Sequence, residues 1–334
     1  MSNYNINSGY GQALLHGVRS VVPTFGRVFV VMNSSNTDEE NYTRIQDVFP
    51  PDPNGQVRFF TSLASAYDAT ESNNNDVIVL DGNSTHTLTA ELDISKNRVH
   101  IVGMDYLMGL RRRYGHSSKI SIGITTDETI SAIKITGVRC SLRGVKVMSS
   151  NTEAESIFAV ADGGEYTYMD CVEIFKSTDV AVAGAADLLC NGDSSHYRRC
   201  YIGNTATAIS ATGARPCVLF NRETITGKVA RDVTFEDCIF ARKCGSVNNT
   251  FFYGSGATDI ERLNYVKGCL FYNNLLASAD PDEGIEFASS QTEGSMILSG
   301  GCASVSTTKL CGTTGVFSAD PAGSAQGGES IQMS

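Results

Sequence analysis

The feature that most restricts the fold of this chain is a cysteine that returns at wide, nearly regular intervals. It occurs in "MDCVEIF" (Met169 to Phe175), "RRCYIG" (Arg198 to Gly203), "EDCIF" (Glu236 to Phe240), "KGCLF" (Lys267 to Phe271) and "GGCAS" (Gly300 to Ser304). The cysteines concerned are Cys171, Cys200, Cys238, Cys269 and Cys302. Spacing of this size, with variable insertions, is the signature of a solenoid whose every coil is one short supersecondary unit. "RGVKV" (Arg143 to Val147) and "NRVHIVG" (Asn97 to Gly103) align as earlier copies with Val in place of Cys, so the repeat runs through most of the chain.

Each copy reads as strand, one-residue corner, strand. In "VTFEDCIF", Val233 and Phe235 alternate on one face, the chain turns at Asp237, and Cys238 and Phe240 resume the alternation in a new phase. Asp and Gly suit such a corner because they tolerate a left-handed backbone, and the alignment puts Asp170, Asp237, Gly268 and Gly301 there. Arg199 departs from that preference, and Glu173 breaks the alternation after Cys171, which predicts a bulge in that copy. Asn-Gly hairpin signals are missing where a meander would need them, so parallel coils stacked at ~4.8 Å fit better than antiparallel sheets. Like residues then form columns, with small apolar Cys as an inward filler.

There are ten cysteines but no CxxC pair, so neither a structural metal nor another cofactor is expected. The first residues lack the basic-then-apolar layout of a signal peptide, which implies folding in cytosol and reduced thiols. His196 beside Cys200 is the one local pairing that could activate a thiol, and packing is the simpler role. Net charge is −10, which disfavours nucleic acid and anionic membranes as partners. The basic run "LRRRYGH" (Leu110 to His116) reads as a solvated loop.

Before the repeat, Thr61 or Ser62 can cap a short helix with Leu63, Ala66 and Tyr67 on one face, which would cover the open first coil. Strands are predicted at Asp76 to Leu80, Thr85 to Leu92 and Arg98 to Val102. This capping helix followed by "DVIVL" and "THTLTAELDISKNRVHIVG" resembles the opening of right-handed parallel β-helix proteins of the pectate-lyase-like class. The resemblance implies an all-β, right-handed parallel β-helix solenoid over residues 56–310. Residues 1–55 would be an N-terminal anchoring arm and 311–334 a C-terminal tail rich in Gly, Ser and Ala. Length, reduced Cys and the stretch "DLLCNGDSSHYRRC" further resemble virion proteins of tailed bacteriophages.

Many members of the β-helix class cleave polysaccharides, but no histidine here lies in a Gly-His-Gly segment such as the resemblance would require of a hydrolase. The nearest acidic set is Asp162, Glu165, Asp170 and Glu173, with Asp187 and Asp193 beyond, and it reads more simply as turns and corners. Tyr166 and Tyr168 fit the interior pattern, and Trp is absent, so no sugar-stacking platform stands out. No catalytic residue is therefore assigned. If Cys238 and Phe240 face inward, then Ile239 faces out, and the same alternation turns out Leu270, Val172 and Tyr201. Such an outer apolar column predicts a subunit interface. The expectation is a homotrimeric virion structural protein that decorates the capsid, with itself and the major capsid protein as partners. The alternative is a tailspike or tail fibre that binds or depolymerises host glycan.

Overall fold

A computed structural model describes residues 16–20, 26–32, 51, 54–82, 85–109, 111–122, 131–150, 157–177, 184–209, 215–243, 250–254, 256–274, 283–287, 294–305, 309–311, 316–318 and 329–331. The chain winds as a right-handed parallel β-helix with three sheets, here called A, B and C, in which all the strand pairings described are parallel. In each full coil the chain passes from a strand of sheet C to one of sheet A and then one of sheet B. Strands Tyr168–Asp170, His196–Arg198 and Thr234–Glu236 are successive rungs of sheet A. Glu173–Lys176, Tyr201–Gly203, Ile239–Arg242 and Leu270–Asn273 are rungs of sheet B.

Strand pairing fixes the alignment of the coils. Glu173 pairs with Tyr201, Tyr201 with Ile239, and Ile239 with Leu270. The left-handed corner between sheets A and B is therefore occupied by Gly144, Cys171, Arg199, Asp237, Gly268 and Gly300, all with φ between 50° and 76° together with Gly301. Cys171 stands at the corner itself, not in the inward column, and Asp170 ends the preceding strand. Val172 fills the inward position below Cys200, fully buried, so it does not belong to an outer face. The expected bulge disappears with this one-residue shift, because Glu173 is in register and points outward. A second left-handed corner precedes sheet A at Asn75, Arg98, Arg139, Tyr166, Ser194 and Asp232. "NRVHIVG" belongs to that corner, since His100 pairs with Ser141 in sheet A.

The inward column is thus Val145, Val172, Cys200, Cys238, Cys269 and Cys302. The thiols are free. Their Sγ atoms lie by main-chain carbonyls that the corner leaves facing inward: Cys238 Sγ is 3.4 Å from both Tyr197 O and Glu236 O, and Cys302 Sγ is 3.4 Å from Val266 O. A thiol supplies both apolar bulk and a weak donor at such a place, which valine cannot. Aromatic rings stack from coil to coil beside this column. Tyr197 and Phe235 are 4.6 Å apart and nearly parallel, as are Phe240 and Phe271 at 4.9 Å. These separations match the ~4.8 Å rung spacing.

Ser62 caps the helix Leu63–Asp68, whose Leu63, Ala66 and Tyr67 cover the first coil. The sheets extend beyond 56–310 at both ends. Val28–Val31 pairs with Val77 to Leu80, so the expected N-terminal arm contributes a strand to sheet A. Val316–Ser318 and Glu329–Ile331 add rungs from the expected tail. The predicted strand Thr85 to Leu92 divides into Thr85–Leu88 in sheet B and Leu92–Ile94 in sheet C.

Candidate functional site

Outward-facing side chains distinguish the three sheets. On its middle rungs the outer face of sheet C is covered: Phe158, Ala161, Leu189 and Leu219 pack under Ile225 from the insertion between Cys200 and Cys238. Sheet A carries a charged outer face. Sheet B bears a groove of ≈ 570 Å³, within the ~300–1,000 Å³ range of small-molecule sites.

The groove floor is the outer face of three adjacent rungs of sheet B, the first of which supplies Lys146. Alternation puts Glu173 and Phe175 outward on one rung and Tyr201 and Gly203 outward on the next. One wall is the segment that follows the helix Met104–Leu107. Tyr106 of that helix lies against Gly144, where an added Cβ would come within 2.2 Å of it. Its hydroxyl donates to Asp170 Oδ2 at 2.6 Å. Arg199 donates twice to the same carboxylate, at 2.9 and 2.5 Å, which accounts for an arginine at a corner that prefers Asp or Gly. Burial opposes ionisation of Asp170, yet the bonds from Arg199 and Tyr106 hold its carboxyl below the usual range. The segment then turns the corner from sheet A to sheet B, and Gly115 N donates to Glu173 Oε2 at 3.1 Å. Tyr114 stands 62% exposed at the rim, with its ring 5.9 Å from that of Tyr201 in an edge-on contact.

Residues 204–207 form the other wall. Asn204 Oδ1 accepts from Ala206 N at 2.7 Å, and Thr207 Oγ1 donates to Ser177 O at 3.0 Å, which ties this turn down to the preceding coil. Across the floor Lys146 Nζ lies 2.9 Å from Glu173 Oε1 and 4.7 Å from the centre of the Phe175 ring. The groove therefore offers aromatic faces beside one hydrogen-bonding ion pair. Buried His116 adjoins it, and desolvation pushes its imidazole down, which keeps it neutral at neutral pH.

The acidic residues singled out in the sequence do not converge. Asp162 is buried, accepting from Gly164 N, Thr167, Ser195 and Tyr197, and burial pushes its carboxyl up. Asp187 is buried beside Arg242, whereas Glu165 and Asp193 form exposed or half-exposed pairs with Lys228 and Arg231. Glu173 alone reaches the groove. No group of His, Cys, Asp or Glu suited to a metal is found among the described residues. His196 faces outward on sheet A while Cys200 points into the core, so the two cannot act together. Burial pushes the Cys238 thiol well up, and Cys140 to about 11.

Of the expected outer column, Tyr201, Ile239 and Leu270 do face outward on sheet B, each half-buried, and Tyr201 is also part of the groove. Tyr166 and Tyr168, expected inside, are outside: Tyr166 is 55% exposed and Tyr168 lies half-buried on the outer face of sheet A.

No protein-family model matches the sequence, and no curated protein does. Solved structures of similar fold include a pectin methylesterase from Aspergillus niger, 10% identical, with 91% of this chain and 83% of that one aligned at a TM-score of 0.51. The pectate lyase Pel9A is 12% identical, with 88% of this chain and 68% of that one aligned at a TM-score of 0.53. At these identities the likeness is one of fold, the pectate-lyase-like parallel β-helix.

Proposed function

We propose that this protein binds a polysaccharide chain in the groove on sheet B, without cleaving it there. The observation that carries this reading is the pairing of exposed Tyr114 with Tyr201 and Phe175 around the Lys146–Glu173 ion pair. Flat aromatic rings stack against the C–H faces of sugars, and a charged pair fixed at the floor supplies donors and an acceptor for hydroxyls. Glycosidic hydrolysis uses two carboxyl groups, and among the described residues Glu173 is the one that lines this groove, which favours binding over hydrolysis. The similar solved structures bear the names of enzymes of pectin and pectate, which agrees with a sugar-polymer ligand. The setting proposed is a bacteriophage virion, as a spike or fibre that engages host glycan.

The test is a glycan array of bacterial surface polysaccharides, probed with the native protein and with Tyr114→Ala/Tyr201→Ala. Native binding to at least one polysaccharide, weakened about tenfold or more (~1.4 kcal/mol) in the variant, is expected. Equal binding by both, or no binding by the native protein, would overturn the reading.

A second reading rests on a different observation. Half-buried Ile239 and Leu270 continue the outer face of sheet B beyond the groove. Such a strip suits a homotrimeric capsid decoration protein, with copies packed along these rungs. Ile239→Asp with Leu270→Asp would then lower the mass seen by light scattering from trimer to monomer, and an unchanged mass would remove the proposal.

A further inference from the structure

The outer face of sheet A, one corner away from the groove, carries two parallel rows of side chains. One row runs through Tyr168, His196, Thr234 and Tyr265 on successive rungs. The other runs through Arg143, Asp170, Arg198, Glu236 and Lys267. In the second row cation and carboxylate alternate, so like charges recur every second rung, ~9.6 Å apart. Asp170 is buried and held by Arg199 and Tyr106, so the open part of the row is Arg198, Glu236 and Lys267, two cations to one carboxylate, on a chain whose net charge is −10.

Arg143 is largely buried over Tyr168, whereas the ion pairs within the row leave Arg198 and Lys267 accessible. Arg198 Nε is 3.4 Å and Lys267 Nζ 3.1 Å from the two oxygens of Glu236, with their side chains 42% and 59% exposed. Exposed pairs of this kind hold only weakly, so an incoming anion can compete for the cations. The first row supplies apolar faces at the same depth. The Arg143 guanidinium lies 4.8 Å from the centre of the Tyr168 ring, the His196 ring meets Tyr168 edge-on at 5.5 Å, and Tyr265 is 41% exposed.

We infer that this face binds an extended acidic polysaccharide whose carboxylates recur at alternate sugars, successive carboxylates meeting Arg198 and Lys267 while the intervening neutral sugar lies against Thr234 and Tyr265. A polymer charged at every sugar would bring a carboxylate against Glu236 between the two cations, so charge spacing sets the selectivity. This inference is independent of the groove on sheet B.

The probes are size-defined oligosaccharides of hyaluronan (uronate at alternate sugars), of polygalacturonate (uronate at every sugar) and of dextran (neutral), with oligothymidylate as a polyanion of another class. Binding is measured by calorimetry at low and moderate salt. Hyaluronan is expected to bind more tightly than the other three and to weaken as salt rises. Arg198→Ala/Lys267→Ala should weaken it at least tenfold. Glu236→Gln should tighten it, a gain that misfolding could not produce. Tyr114→Ala/Tyr201→Ala should leave it unchanged, which separates this site from the groove. Hyaluronan no tighter than dextran, equal binding of polygalacturonate or oligothymidylate, or no response to substitutions on sheet A would each overturn the inference.

Discussion

Valine exchanges at two cysteines on neighbouring coils would separate the corner from the column. Cys171 is held at φ 54°, whereas Cys200 lies one position beyond its corner residue, Arg199 at φ 50°. Both side chains are fully buried. At Cys200, valine would take the place that Val145 and Val172 already hold on earlier coils, at the loss of weak contacts from Sγ to Arg198 O (3.4 Å) and Met169 O (3.6 Å). An apolar swap of similar volume costs under about 1.5 kcal/mol. At Cys171 a β-branched side chain would have to adopt a left-handed backbone, where crowding of Cβ against the following carbonyl is most severe. Cys171→Val should therefore cost about 1–2 kcal/mol more than Cys200→Val. Urea unfolding followed by tyrosine fluorescence reads the difference, provided the slopes agree so that midpoints can be compared. Cys171→Gly should be milder than Cys171→Val, because glycine accepts that φ without crowding. Equal losses at the two cysteines, or the reverse order, would refute the placement of the corner.

Two further outcomes follow from the core. Phe240 packs against Phe235, Phe252 and Phe271 with ring centres 4.6–5.5 Å away, so Phe240→Ala should destabilise by about 3–5 kcal/mol in the same unfolding assay, and a loss below ~1 kcal/mol would contradict the stack. His100 is pushed down to about 4 by burial and then by Arg143, and its Nδ1 is 2.8 Å from Ser141 Oγ. Its folded value lies below the unfolded one of ~6.5, so the unfolded chain binds more protons between those values. Stability should be fully present above pH ~6.5 and fall by on the order of 3 kcal/mol as pH drops towards 4. His100→Gln should flatten that decline, and an equally steep decline in the variant would show that other groups cause it.

Much of the fold is legible because it is written locally. The helix capped by Ser62, the strand Asp76–Leu80 and the corner at Asp237 each follow from a short run of residues whose alternation changes phase at a tolerant residue. The misreading at Cys171 has a physical source. Cysteine is chemically suited both to the inward column and, when clamped beside Asp170, to the corner, so aligning by residue type shifted one copy by a single place. That shift turns every side chain to the opposite face, which is why Val172 was expected outside and Glu173 out of register. The strand Val28–Val31 pairs with a segment nearly fifty residues later, and nothing local announces such a pairing. The groove was illegible for a similar reason: Tyr114 and Thr207 belong to separate loops, brought together only because their coils stack. The outer rows of sheet A were hidden by the expectation that Tyr168 lies inside. Once the second corner is placed at Tyr166, the following alternation turns Tyr168 outward, a signal that was available in the spacing.

In the proposed complex, sugar polymer lies across the two rungs of sheet B that carry Glu173 and Tyr201. A crystal structure of the protein with an oligosaccharide selected on the glycan array tests it most directly. Sugar rings in contact with Tyr114 and Tyr201, with hydroxyls on Lys146 and Glu173, are expected. Sugar density over sheet C, or an empty groove in crystals of a protein shown to bind that oligosaccharide in solution, would contradict it.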